Sequence, residues 1–150
     1  MNSNDIEPEN TDAELTNHPR FRLETIANTA QGVEFISVIN ETAPPSAPAN
    51  APVNAPANAP SVTFKYIPDK LVLTAPSFQH YLAARRANPA ASLEGLALDI
   101  LADINNEVVP RWCQIIVRDT ASDTGEHYIV VEDRQPNWDN ARLLSRIAPV

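Results

Sequence analysis

Residues 92–118 read SLEGLALDILADINNEVVPRWCQIIVR, and two different periodicities meet inside that stretch. Leu93, Leu96, Ala97, Ile100, Leu101, Ile104 and Val108 recur at the 3.6-residue period of an amphipathic helix, and Ser92 in front of them is a good N-cap. Pro110 ends that period. Beyond it, residues 112–118 form a short apolar run of strand length.

The neighbouring segments extend the pattern. Pro76 is suited to a first helical turn, and the helix it opens carries Phe78, Tyr81 and Leu82 inward and finishes near Asn88 and Pro89. Further back, residues 61–67 (SVTFKYI) alternate cleanly, with Val62, Phe64 and Tyr66 on one face, and stop at Pro68. Residues 32–39 (GVEFISVI) alternate in part and are rich in β-branched and aromatic side chains, so a strand is expected there too. On the C-terminal side, residues 127–132 read as a strand joined to 112–118 by the turn sequence 121–125 (ASDTG). The order is strand, strand, helix, helix, strand, strand. This predicts an α+β domain, a four-stranded antiparallel sheet with two helices on one face. Trp138, Ala141, Leu144 and Ile147 have helical spacing and would pack on the sheet or on a neighbouring subunit.

Two segments fall outside this pattern. Residues 1–19 are polar and acidic, which predicts a disordered tail ahead of a domain spanning 20–150. Residues 40–60 hold Asn-Ala-Pro three times, beginning at Asn50, Asn54 and Asn58, and read as an extended Pro/Ala/Asn-rich loop insert within the first hairpin. About 110 residues are left to build a core, a small domain that oligomerisation would supplement. The net charge of −8 argues against nucleic acid as a partner. No stretch suits a signal peptide or a membrane span, so a cytoplasmic protein is expected. The one cysteine, Cys113, leaves no internal disulfide and no cysteine-based metal cluster, and no histidine spacing suggests a metal site.

Local motifs carry a resemblance. Leu23-Glu24-Thr25, then 34–40 (EFISVIN), then Tyr66-Ile67-Pro68-Asp69-Lys70, then 77–82 (SFQHYL), Ser92-Leu93-Glu94 and Val109-Pro110-Arg111-Trp112 follow one another in the order seen in the 7-cyano-7-deazaguanine (preQ0) reductases. The chain resembles that family over roughly residues 23–118. The resemblance implies the tunnelling fold, ββααββ, in which subunits join edge to edge into an oligomeric barrel with sites at the interfaces. It also implies a purine-like ligand, NADPH as cofactor, and a place in queuosine biosynthesis.

The departures from the family pattern concern chemistry. Family reductases attack the nitrile with a cysteine whose position is taken here by Ile39, a side chain with no nucleophile. Asn58 lies nearest the place of the family's proton-donating aspartate. The family's cofactor motif, E-x-K-S-x-K, reads Thr74-Ala75-Pro76-Ser77-Phe78-Gln79, without either lysine, and Asp119-Thr120-Ala121 stands near the place of an Arg-Gly-Gly. Glu94 matches the glutamate that holds the purine ring. A carboxylate suits that task because its two oxygens accept two adjacent N–H donors. An acid in the first turn of a helix is also favoured by the helix dipole alone. Cys113 reads as a buried packing residue rather than a relocated nucleophile, His80 as an ordinary helix residue, and His127 as a histidine with no evident partner.

The resemblance then implies a homologue that is not itself a reductase, needs no NADPH, and binds a purine-like ligand through Glu94 in a homo-oligomer or beside an active paralogue. The alternatives are an enzyme of 7-deazaguanine metabolism acting on a purine- or pterin-like substrate without a cysteine, and a reductase that uses Cys113.

Overall fold

A computed structural model of the chain describes residues 17–42, 59–87, 92–119 and 125–150. The expected tail up to residue 16, most of the loop insert, the end of the first helix at Asn88 and Pro89, and most of the 121–125 turn lie outside the described residues.

A 3-10 turn, Pro19–Arg22, opens the described chain, its first N–H groups met by His18, whose Nδ1 accepts from the Arg20 N–H at 3.2 Å. The strands are β1 (Thr25–Ala27), β2 (Ser37–Glu41), β3 (Ser61–Ile67), β4 (Leu71–Leu73), β5 (Trp112–Arg118) and β6 (Tyr128–Arg134). Helices α1 (Ala75–Ala87) and α2 (Leu93–Glu107) separate β4 from β5, and a single turn, α3 (Ala141–Leu144), follows β6. Strands β2, β3, β5 and β6 form, in that order, a four-stranded antiparallel sheet, and β1 and β4 form a separate two-stranded antiparallel ribbon.

The register gives the sheet two unlike faces. Ile39 pairs with Phe64, Phe64 with Ile115 and Ile115 with Val131, so these four point to one side together with Val62, Tyr66, Cys113 and Val117. Phe78, Tyr81 and Leu82 of α1 and Leu96, Ala97, Ile100 and Ile104 of α2 complete the same core, so both helices cover that face. The Phe64 ring stacks on Tyr66 at 4.6 Å between centroids and meets Phe78 at 5.5 Å. Between the helices, Tyr81 donates to Asp103 at 2.5 Å, and Arg85 ion-pairs with the same carboxylate.

The architecture is therefore α+β, with the four-stranded antiparallel sheet and helix pair that the periodicities predict. The ribbon was not expected. Strand β2 starts at Ser37 rather than at residue 32, because a turn precedes it in which the Val33 N–H donates to the Ala30 carbonyl at 3.0 Å. Helix α2 begins as expected, with the Ser92 Oγ accepting from the Gly95 N–H at 3.0 Å. The C-terminal helix is shorter than the 138–147 spacing predicts: Asn140 caps it by accepting from the Leu143 N–H at 3.0 Å.

Candidate functional site

Three of the family-like motifs meet at one end of the sheet. The Arg111 guanidinium reaches Glu34 at 3.2 Å and Asp69 at 3.4 Å, joining residues of 34–40, the Tyr66–Lys70 motif and the Val109–Trp112 motif. Gln135 donates to the other Asp69 oxygen at 3.1 Å, while Trp138 and Asn140 donate to Glu34 at 3.4 Å and 3.1 Å. Tyr66 Oη accepts the Leu73 N–H at 2.9 Å and so fixes the ribbon to the core. Ser77 Oγ accepts the Glu24 N–H at 2.9 Å, which ties α1 to the Leu23-Glu24-Thr25 segment. Each of these residues has its partners inside the chain, so their shared task is to hold the loops in place.

The residues expected to carry chemistry are not gathered in the same way. Glu94, in the first turn of α2, is exposed; among the described residues it is paired with the imidazole of His127, whose Nε2 lies 3.7 Å from Oε1. That pairing corrects the expectation that His127 has no partner. Ile39 points into the core beneath the helices. It lies on edge strand β2, whereas His127 directly precedes the opposite edge, β6. Three strand spacings, on the order of 14 Å, separate those two edges, so one chain does not bring Glu94 and Ile39 together. Asn58 and Thr120 lie outside the described residues.

Cys113 is fully buried at the centre of the sheet. Burial, helped by the nearby Asp133 carboxylate, pushes its thiol from 9.0 up to about 12, so at neutral pH it is protonated and inert. His80 is exposed on α1, where it lines a shallow 400 Å³ depression with Arg22, Ala83 and Ala84.

The residues at the cofactor motif do not fit a nicotinamide dinucleotide phosphate. Ser77 is buried and bonded to Glu24 and Thr74, and residues 74–79 contain no cation to meet a phosphate. Among the described residues, no three or more of His, Cys, Asp and Glu are grouped to hold a metal ion, and no helix is long and apolar enough to cross a membrane.

Around Glu94 the structure therefore shows an exposed carboxylate with a histidine 3.7 Å away, beside the edge strand β6. No protein-family model matches this chain, and no curated protein matches it.

Proposed function

We propose that this chain is a divergent homologue of the 7-cyano-7-deazaguanine reductases, built on the tunnelling scaffold, which binds a purine-like ligand without reducing it. The observation that carries the reading is the state of Glu94. It matches the family's ring-binding glutamate, its carboxylate is open to solvent, and among the described residues it is paired with His127 at 3.7 Å. Among the described residues no N–H donor bonds to that carboxylate, so it can accept two adjacent ligand donors. The nucleophile, by contrast, is lost twice over, since Ile39 lacks a reactive atom and is buried. In an edge-to-edge assembly β2 of one copy would lie beside β6 of the next, and Glu94 would then face the neighbour's first hairpin. Joining the edges would also pair their free backbone groups.

NADPH absorbance in the presence of 7-cyano-7-deazaguanine tests the loss of reduction. No consumption above the enzyme-free rate is expected. Turnover abolished by Cys113→Ala would establish a reductase and overturn the proposal.

One observation favours a second reading, an enzyme acting on a purine- or pterin-like substrate by proton transfer. His127 beside Glu94 is an acid–base pair open to substrate. Conversion of such a substrate, lost in His127→Ala while its binding persists, would select that reading.

A further inference from the structure

The face of the sheet turned away from the helices is covered by the C-terminal segment. The register places Trp112, Gln114 and Ile116 of β5 on that face, with Glu132 of β6 directly opposite Gln114. A sheet face without covering helices would leave such residues in water. Here Trp112 is only 1% exposed and Gln114 only 8%. Leu144, Ile147 and residues 148–150 come back over them and leave a solvent-open groove of about 240 Å³ between the segment and the sheet.

The polar atoms at this groove are unevenly satisfied. The Trp112 indole N–H donates to Glu132 Oε1 at 2.8 Å, so the one ring donor is used. Arg134 stands 3.9 Å from the same oxygen. Among the described residues no donor reaches Glu132 Oε2. The Gln114 amide oxygen is buried and has no hydrogen-bond partner among the described residues. A buried acceptor left without a donor is disfavoured, and its placement in the wall of a groove indicates that the donor comes from outside the chain. Two acceptors, one of them anionic, beside an indole and under an aliphatic roof select a donor-rich ligand with a flat apolar body. A groove of this size suits a one- or two-ring fragment.

We infer that the space between the open sheet face and the C-terminal segment is a second binding site, for a small planar cation or amino-heterocycle with adjacent N–H donors. Gln114 and Glu132 accept those donors, and Leu144 and Ile147 cover the ring. The site is independent of Glu94 and of the purine reading, and stands or falls without them.

Benzamidine is a suitable probe, and benzoate, with the same ring and acceptors in place of donors, is its control. Each is titrated into the nitrogen-labelled full chain while the indole N–H signals of Trp112 and Trp138 are followed, assigned with Trp138→Phe. Benzamidine is expected to shift the Trp112 signal saturably and benzoate to leave it in place. Gln114→Leu and Glu132→Gln are each expected to weaken benzamidine about tenfold, the effect of one lost hydrogen bond to a charged group. Glu132 is exposed, so its variant keeps the test valid even if Gln114→Leu loosens the sheet. An unmoved Trp112 signal at saturating benzamidine would mean that Gln114 faces only a trapped water, and would overturn the inference. Equal affinity in wild type and both variants would place the probe elsewhere and overturn it as well.

Discussion

Val109 has a φ of 51°, a left-handed conformation that a β-branched residue adopts only under strain. It follows the last turn of α2, where glycine or asparagine commonly ends a helix, and it precedes Pro110, which narrows its choices further. Its side chain is half exposed, so little packing is lost on replacement. Val109→Gly is expected to stabilise the protein by about 1 kcal/mol, measured as a raised urea midpoint with unchanged slope. The opposite sign is expected between the helices. Asp103→Ala would leave the Arg85 cation and the Tyr81 hydroxyl without their shared partner, at a loss of about 3 kcal/mol, whereas Tyr81→Phe removes the bond to Asp103 and the longer one from Arg85 while keeping the ion pair, at about 1–2 kcal/mol. Little of this was legible beforehand. Tyr81 could be assigned to the core from helical spacing, but its partner Asp103 lies 22 residues away on another helix. The Arg111 contacts to Glu34 and Asp69 are likewise long-range, and the motifs looked like separate signals until the fold joined them. The same holds for His127, whose proximity to Glu94 depends on where α2 begins relative to β6.

At the scale of elements, what could be read was what periodicity controls. Strands β3 and β5 and helix α2 each bury one regular face or lie wholly inside, so their apolar patterns match their spans. Strands β1 and β4 are three residues each, too short for any alternation to show, and they are held by the Tyr66 hydroxyl and the Ser77 hydroxyl rather than by a pattern. Strand β2 was displaced because Glu34 and Phe35, strand-like in composition, belong to the segment that delivers Glu34 to Arg111. Helix α3 kept only one turn of the expected helix, since Asn140 both caps it and donates to Glu34. Caps are thus the testable local signals. Ser92→Ala removes the acceptor for the Gly95 N–H and is expected to reduce stability by about 1 kcal/mol without altering the fold. Thermal unfolding followed by circular dichroism checks the loss, and an unchanged midpoint would contradict the cap's role.

The whole molecule is a sheet with helices on one side and a C-terminal segment on the other, and its stability should depend on pH at the alkaline end. Burial raises the ionisations of Cys113, Tyr66 and Tyr81 above their ordinary values. In the unfolded chain these groups release protons at lower pH than in the folded one. Stability from this source is therefore fully present below about pH 9 and is lost as pH rises toward 12, where the folded Cys113 thiol itself ionises. Urea titrations from pH 8 upward should show the decline, and Cys113→Ala should make it shallower. Edge strands β2 and β6 are the surfaces through which the proposed assembly would form, and light scattering on the purified chain is expected to report a homo-oligomer. Neither the proposed assembly nor the proposed ligand is written in the periodicities; both proposals rest on the motif resemblance joined to an open Glu94. The most direct test is calorimetric titration of the folded protein with 7-cyano-7-deazaguanine, repeated with Glu94→Ala. Saturable heat in the wild type that disappears in the variant is the predicted result, whereas no heat from either protein, or equal heat from both, would contradict a purine-like ligand held by Glu94.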